Sequence, residues 1–232
     1  MRAKIFADGA SLEEMKELMK NPSIRGFTFN PSLLRKLDVS DYKKFGKTAT
    51  KIAGEYPVSF EVLSDDPEEI KEQAIKISEW GENVHVKVPI TTTLGNSLLK
   101  TIADLSFLGV KVNVTAVFTR KQAKEAMEAM NSSRGIVSVF AGRIADAGVD
   151  PFPTMQELAE FMRRYYESQE LLWASPRQVY DIVLADRSGC HIITASKSII
   201  DKLPLLGKNL NDFSLETVNM FYDDAQKAGY TI

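Results

Sequence analysis

Lys87 lies near the end of a short apolar stretch, and its type and position suit carbonyl chemistry. Val84, Val86 and Val88 alternate along this stretch, which predicts a strand with His85 and Lys87 on its other face. Burial disfavours the charged form of an amine, and a neutral amine can attack a carbonyl carbon. The ordinary alternative is a lysine whose alkyl stem is covered while its ammonium group reaches water. The strand alone leaves both readings open.

Other strand-like stretches also carry polar side chains near their carboxyl ends. These residues are Asp8, Thr28, Asn30, Glu61, Asn113, Thr115, Ser138 (with Phe140 on the same face), Arg143, Ser175 and Arg177. Each one alone could satisfy a strand end, cap a turn or be a solvated charge. Together they are difficult to explain as core filling, which favours Val, Ile and Leu. We therefore predict that they form one site.

The acidic and hydroxyl groups of this set fit a role beside a reactive amine. Lys87 could condense with a ketone to give a Schiff base, which is an electron sink for carbon–carbon cleavage. Loss of water from the carbinolamine needs a proton shuttle, and Asp8, Glu61 and Thr115 could provide it, directly or through water.

The remaining polar residues fit recognition of a sugar that carries an anionic group. Asn30 and Asn113 could hold hydroxyl groups in place. Arg143, Ser175 and Arg177 form a candidate anion site. Arg177 is also predicted to open a helix, whose N-terminal amides favour phosphate.

Strand-like and helical patterns alternate along almost the whole chain. The predicted strands are 4–8, 26–30, 57–63, 83–88, 111–118, 135–144, 170–175 and 189–195. The predicted helices are 11–18, 33–55, 65–80, 94–108, 119–130, 154–167, 177–187 and 197–203. Eight such units without hairpin spacing predict parallel strands, and hence an α/β fold that is a single-domain (β/α)8 TIM barrel over residues 1–232. A doubly wound open sheet is the alternative, but the chain lacks the glycine-rich motifs of nucleotide-binding sheets.

An additional helix is predicted over 214–229, beyond the eighth unit. Its apolar positions include Leu215, Val218 and Phe221. Because the barrel is complete without it, this helix either packs back on its own barrel or docks on a neighbouring subunit.

Composition limits the classes of protein to which the chain can belong. The 232 residues carry a net charge of −2 with mixed signs, which gives no electrostatic case for nucleic acid. The single cysteine, Cys190, fits a reducing compartment. The early acid Asp8 and the lack of a long apolar run argue against a signal peptide or a membrane span. We expect a soluble, cytoplasmic protein.

Several motifs together resemble the transaldolase family, in particular its short-chain branch that also contains the Schiff-base fructose-6-phosphate aldolases. The motifs, which occur in the family's order and spacing, are Phe6-Ala7-Asp8, Thr28-Phe29-Asn30-Pro31-Ser32, Val86-Lys87-Val88-Pro89, Asn113-Val114-Thr115, Phe140-Ala141-Gly142-Arg143-Ile144 and Ala174-Ser175-Pro176-Arg177. The resemblance covers essentially the whole chain.

The resemblance implies a role for each candidate residue. Lys87 would form the Schiff base, with Asp8 as acid/base partner and with Glu61 and Thr115 holding a catalytic water. The sugar would be bound by Asn30 and Asn113 at the dihydroxyacetone hydroxyls, by Thr28 and Ser138 along the site, and by Arg143, Ser175 and Arg177 at the phosphate. No cofactor and no metal would be needed. The branch typically forms homo-oligomers, pentamers or decamers, in which the C-terminal helix crosses to a neighbour.

Two residues favour transfer of the three-carbon unit over its release. Glu61 and Phe140 match transaldolases, whereas fructose-6-phosphate aldolases carry Gln and Tyr at these positions. A phenol at position 140 could help to protonate and release bound dihydroxyacetone, and Phe140 cannot. We therefore expect transfer from a ketose phosphate, of the fructose 6-phosphate or sedoheptulose 7-phosphate type, to an aldehyde. An aldolase that releases dihydroxyacetone, a transaldolase for a sulfonated sugar and a non-catalytic sugar-phosphate-binding barrel are the alternatives.

Some residues depart from the family pattern or fall outside it. Phe29 replaces the usual second threonine of its motif, and its side chain should point away from Asn30. The loop over residues 146–153, with acidic Asp146 and Asp150, is expected near the substrate tail. His85 and His191 are expected to be structural, and Cys190 is expected to be an ordinary buried thiol.

Overall fold

The computed structural model describes residues 1–131 and 133–231. Within these residues the chain has eight strands in one closed parallel barrel, paired in chain order from β1 to β8 and closed by β8 on β1. The strands are β1 (Lys4–Asp8), β2 (Ile24–Thr28), β3 (Val58–Glu61), β4 (Val84–Pro89), β5 (Val112–Val117), β6 (Ile136–Val139), β7 (Glu170–Trp173) and β8 (Ile192–Ala195). The prediction of a (β/α)8 TIM barrel is confirmed, and the open sheet is excluded.

Helices alternate with the strands. They are α1 (Leu12–Leu18), α2 (Pro31–Lys36), α3 (Tyr42–Ala53), α4 (Pro67–Ser78), α5 (Leu99–Phe107), α6 (Arg120–Met130), α7 (Ala141–Asp146), α8 (Phe152–Tyr165), α9 (Tyr180–Ser188), α10 (Lys197–Ile200) and α11 (Leu210–Ala228). Capping explains several starts: Ser11 and Thr119 form capping boxes with Glu14 and Gln122, which satisfy otherwise unpaired amides at each helix N-terminus.

Some predicted boundaries are wrong, and local chemistry explains most of them. The single helical region over 33–55 is two helices, because Asp41 caps a new helix and Asp38 has a positive φ of 51°. The helix predicted from residue 94 begins at Leu99, after an isolated antiparallel bridge between Thr91 and Ser97.

The largest error in the strand assignments concerns the sixth strand. It was predicted to run over 135–144, but β6 ends at Val139 and helix α7 begins at Ala141. Arg143 therefore lies on a helix. The apolar residues there resemble a continuing strand. The chain instead begins a helix where the Gly142 amide donates to the backbone carbonyl of Ala174, a residue distant in the sequence.

Valines and isoleucines on the outer face of the strands are buried beneath the helices, while a second set fills the barrel. Phe6, Ile136, Leu172, Ala174 and Ile192 form this inner cluster. In barrels of this class, odd and even strands supply alternate layers of inward side chains. Most of this inner cluster lies below the polar layers described next, and Ala174 reaches up into them.

The chain divides into two compact units, Met1–Ile200 and Asp201–Ile232. The first contains all eight strands. The second contains a short 3-10 turn (Leu203–Leu205) and α11, which starts four residues before the predicted position 214 and is capped at its C-terminus by Gly229 in the left-handed conformation. Large apolar side chains of α11 are exposed, including Leu215, Val218 and Phe221 at 61%, 59% and 63%.

Candidate active site

A cavity of about 520 Å³ lies at the carboxyl ends of the strands, the end at which barrels of this class carry their active sites. Inward residues of two successive layers line it. Even strands contribute Thr28, Lys87, Ser138 and Thr194, and odd strands contribute Asp8, Glu61, Thr115 and Ala174. The predicted convergence of polar strand ends is therefore what the fold produces.

Lys87 is a buried lysine of this cavity. It is 6% exposed and lines the cavity, so only a small part of the side chain is accessible to solvent. Its Nζ lies 3.1 Å from Glu61 Oε2 and donates a hydrogen bond of 3.1 Å to the backbone carbonyl of Phe29. One partner comes from β3 and the other lies just beyond β2, so the amine is held in one place.

Asp8 is the second acid near this amine, and like Glu61 it is partly buried. Burial raises the pKa of the Asp8 carboxyl, and this effect is partly offset by the positive charge of Lys87 and by a hydrogen bond from Thr28. Thr28 Oγ1 donates to Asp8 Oδ1 at 2.7 Å. The site thus places one amine near two carboxyl groups with different contacts: Glu61 contacts the amine directly, and Asp8 accepts a hydrogen bond from Thr28.

The hydroxyl of Thr115 has no hydrogen-bond partner among the residues that the structure describes, although it is buried. A buried hydroxyl left without a partner costs free energy. Thr115 lines the cavity, so a molecule in the cavity can provide the missing partner. The next residue, Ala116, also lines the cavity and has a φ of +57°, a strained conformation of a kind found at functional sites.

Asn113, which is predicted to bind substrate, lies one layer below Thr115 on β5. It is fully buried and is not part of the cavity lining. Its Nδ2 donates to Ser59 Oγ at 3.0 Å and its Oδ1 accepts from Ser138 Oγ at 2.7 Å. The structure therefore brings Ser138 to the cavity surface and places Asn113 behind it.

Asn30 lies at the rim and also caps a helix. Its Oδ1 accepts from the backbone amide of Leu33 at 3.0 Å, which starts α2 at Pro31. This bond fixes the amide orientation and leaves Nδ2 as the donor toward the cavity. The preceding ring, Phe29, stacks on Phe60 at 5.3 Å and is fully buried, so it points away from Asn30 as predicted.

The candidate anion residues gather at one side of the mouth. Arg143, Ser175 and Arg177 line the cavity, and both arginines are exposed. The Arg143 guanidinium lies 5.3 Å from the centre of the Phe140 ring, a cation–π contact. Ser175 has a φ of +62°.

Arg177 is engaged by an acid of the same chain. Its Nε donates to the Asp146 carboxylate at 2.8 and 3.1 Å, and its Nη2 also donates to that group. The guanidinium of Arg177 lowers the pKa of Asp146. Asp146, which is expected near the substrate tail, is therefore a direct partner of Arg177, one of the candidate anion residues.

The prediction that Arg177 opens a helix is wrong. Helix α9 starts at Tyr180, and the backbone amides of Arg177 and Gln178 donate to Asp181 Oδ2 at 2.5 and 3.2 Å. These amides already have an anionic partner. The candidate anion site therefore consists of side chains rather than of the amides of a helix terminus.

Comparison with known proteins identifies the family. The family model for transaldolase/fructose-6-phosphate aldolase matches residues 5–232. The chain belongs to this family. A probable transaldolase of Thermoanaerobacter sp. (strain X514) is 31% identical over 99% of this chain and all of that protein. A probable transaldolase of Nitrosopumilus maritimus (strain SCM1) is 34% identical over 90% of this chain and 92% of that protein.

Solved structures outside the transaldolase family share the barrel alone. A dihydrodipicolinate synthase of Rhodopseudomonas palustris superposes with a TM-score of 0.60 at 12% identity, covering 96% of this chain and 79% of that one. A 2,3-dimethylmalate lyase has a TM-score of 0.59 at 9% identity, with 99% and 84% covered.

Several residues at or beside the cavity of this family member were not predicted from sequence, among them Thr194, Lys36 and Tyr42. Thr194 on β8 lines the cavity, and its place in the layer of Thr28 and Lys87 follows from counting two residues on from the inward Ile192. Lys36 reaches the cavity from α2, and no strand pattern indicates this. Tyr42 donates from α3 to the carbonyl of Glu61 at 2.7 Å, a contact that only the folded chain reveals.

The residues expected to be structural lie away from the cavity. The backbone amide of Leu171 donates to His191 Nδ1 at 3.0 Å. Burial lowers the pKa of His85 to about 4 and raises that of Cys190 to about 12. Cys190 is buried and unpaired, so it is a poor nucleophile.

Proposed function

We propose that the protein is a transaldolase that moves a dihydroxyacetone unit from a ketose phosphate to an aldehyde through a Schiff base on Lys87. The observation that carries the proposal is a buried amine, held by Glu61 and the Phe29 carbonyl, at the floor of a strand-end cavity. Membership of the transaldolase family and relatives named probable transaldolases support it.

The first half of the reaction forms and breaks bonds at the ketose. The Lys87 amine adds to the ketone carbon, and the carbinolamine loses water as Glu61 and Thr115 pass protons through a water molecule between them. The hydroxyl on the fourth carbon then gives its proton to Asp8. The bond between the third and fourth carbons breaks, its electron pair enters an enamine on Lys87, and the aldehyde product leaves.

The second half reverses these steps on another aldehyde. The enamine carbon attacks the acceptor carbonyl, and the new alkoxide takes the proton from Asp8. Water then hydrolyses the Schiff base and restores the amine. Asn30 holds hydroxyls of the three-carbon unit through Nδ2, and Ser138, which Asn113 supports from below, does so on the opposite wall.

Retention of the three-carbon unit between the halves is assigned to Phe140. This ring lines the cavity and contacts Phe118 at 5.5 Å, and it has no proton to give. Without a phenol at this place, protonation of the enamine is slow and the unit waits for an aldehyde. Fructose 6-phosphate and sedoheptulose 7-phosphate are the proposed types of donor, with the phosphate at Arg143, Ser175 and Arg177.

Borohydride trapping tests the chemistry. The protein incubated with fructose 6-phosphate and borohydride should gain the mass of one reduced three-carbon unit on Lys87, as located by peptide mass spectrometry. Lys87→Ala should gain none, and Lys111→Ala, a lysine at the opposite end of the barrel, should behave as wild type. No adduct on the wild-type protein, with sugar binding intact, would favour the non-catalytic alternative.

Release of dihydroxyacetone separates transfer from aldol cleavage. The wild-type protein should release little without an acceptor aldehyde, and Phe140→Tyr should release more. Rapid release by the wild-type protein, unchanged by Phe140→Tyr, would support the aldolase alternative. A panel of phosphorylated and sulfonated ketoses in the trapping assay tests the sulfonated-sugar alternative.

The assembly state and the compartment belong to the same proposal. The exposed apolar side chains of α11, such as Leu215 and Phe221, are proposed to pack on a neighbouring subunit of a pentamer or decamer. Light scattering on Leu215→Glu should give a smaller mass than on the wild type, while Glu216→Gln should leave the mass unchanged. The single cysteine fits work in the cytoplasm.

A further inference from the structure

Thr194 is buried at the floor of the cavity but has no part in the chemistry described above. Its hydroxyl lies 2.5 Å from that of Thr28, whose hydroxyl in turn lies 2.7 Å from Asp8 Oδ1. Thr28 and Thr194 are 2% and 5% exposed. The three side chains form a short hydrogen-bonded chain across three neighbouring strands, β8, β1 and β2.

The direction of the two hydrogen bonds follows from the chemistry of the groups. A carboxylate only accepts, so Thr28 must give its single hydroxyl proton to Asp8. Thr28 then has only lone pairs to offer, and Thr194 must be the donor between the two hydroxyls. The proton order is therefore Thr194 to Thr28 to Asp8.

The register of the barrel produces this chain. Asp8 pairs with Thr28 across β1 and β2, and Phe6 pairs with Thr194 across β1 and β8. Gly26 leaves room for the Phe6 ring, since a Cβ there would lie 2.7 Å from it. The ring therefore lies below the two hydroxyls and leaves them in contact.

We propose that Thr194 is a positioning residue that orients the Thr28 hydroxyl and thereby holds the Asp8 carboxylate ready to accept a proton. This inference rests on the proposed function, in which Asp8 takes the hydroxyl proton. Valine has the same shape as threonine, so packing alone does not require an oxygen at position 194. Hydrogen bonds in series strengthen one another at low dielectric.

Lys87 and Glu61 also act on the protonation of Asp8, in opposite directions. Lys87 favours the carboxylate, whereas Glu61 and burial favour the protonated acid. Loss of the Thr194 donor leaves Thr28 free to turn and removes support for the charged form. Proton acceptance by Asp8 should then begin at higher pH.

The test is the pH dependence of turnover in Thr194→Val, with Thr194→Ser as the rescue variant. Thr194→Val should lower kcat about ten-fold with little change in KM, a loss typical of weakened general acid–base catalysis. The acidic limb of its kcat/KM profile should move to higher pH. Thr194→Ser should resemble wild type in both, and so should Ile193→Val, a control on the outward face of the same strand.

Two results would overturn the inference. A Thr194→Val protein with a wild-type pH profile would do so, as would a lower melting temperature accompanied by unchanged kcat. If Thr194→Val does not fold, Thr194→Ala must show the same limb shift. Borohydride trapping distinguishes failure of the proposed function from failure of this inference. Absence of an adduct on the wild-type protein would refute the proposed function. An adduct on the wild type, together with a wild-type pH profile in Thr194→Val, would refute this inference alone.

Discussion

Gly142→Ala should open the anion site without touching the proposed Schiff-base lysine. A Cβ at Gly142 would lie 1.6 Å from the backbone oxygen of Ser175. Ordinary contacts of carbon atoms lie at about 3.5 Å, so the start of α7 must move away from Ser175 by about 2 Å. The hydrogen bond of 3.2 Å from the Gly142 amide to the Ala174 carbonyl would be lost with that movement.

The displacement separates two residues of the proposed phosphate site. Arg143 follows Gly142 directly on α7, and Ser175 lies two residues beyond β7, so such a shift moves Arg143 away from Ser175 and weakens their joint contact with one phosphate. A hydrogen bond to a charged group contributes about 1.5–3 kcal/mol. The KM for fructose 6-phosphate should therefore rise by about 10- to 100-fold, since about 1.4 kcal/mol corresponds to a factor of ten.

Steady-state kinetics with the phosphorylated donor measures this effect, and trapping with dihydroxyacetone provides the internal comparison. Dihydroxyacetone carries no phosphate, so its Schiff base on Lys87 should form as in wild type. Ala145→Ser, on the exposed side of α7, is the matched control. An unchanged KM in a normally folded Gly142→Ala protein would refute the reasoning, and equal loss of dihydroxyacetone trapping would show that the damage is not confined to the anion site.

Three further substitutions probe other contacts. Tyr42→Phe removes the 2.7 Å hydrogen bond to the Glu61 carbonyl; it should lower the melting temperature by roughly 2–4 °C, measured by calorimetry, and lower kcat. Burial lowers the pKa of His85 from 6.5 to about 4, so the unfolded chain takes up a proton at this residue before the folded protein does, and the free energy of unfolding should fall by about 3 kcal/mol between pH 6.5 and pH 4. Urea titrations of His85→Gln should show a smaller fall in the free energy of unfolding over this window, and a fall equal to that of the wild type would contradict this account. Asp146→Asn frees Arg177 and should lower the KM for fructose 6-phosphate by about two- to five-fold at low salt, less at high salt; an unchanged or higher KM would argue against competition by Asp146.

The barrel could be predicted because its signals are local. Each βα unit carries its own alternation of apolar residues, its own cap and its own turn, and parallel strands follow from the helices between them. The end of β6 could not be predicted in this way, because the contact associated with it is not local in the sequence. Helix α7 starts where Gly142 meets the Ser175 backbone, two residues about thirty positions apart, and the sequence of residues 135–144 does not contain that contact.

The convergence of the polar strand ends could be predicted for a similar reason. How deep each side chain lies in the barrel could not. Alternation indicates which side chains face inward, so Thr28, Glu61, Lys87 and Ser138 could be placed together from their strands. The stagger of the barrel then decides which of two inward residues on one strand reaches the cavity. On β5 that residue is Thr115, and Asn113 lies beneath it, a difference that depends on register between strands.

The contacts of Lys87 depend on the register between neighbouring strands, which the composition of a single strand does not reveal. Its partners are a carboxylate on β3, paired directly opposite in the ladder, and a backbone carbonyl just past the end of β2. Asn30 and Pro31 end β2 there by starting α2, so the motif that implied a sugar-binding amide also sets where the Phe29 carbonyl lies. The same few residues thus terminate a strand, start a helix and hold the amine, and a substitution that merely shifts this helix start should disturb Lys87 before it disturbs the fold.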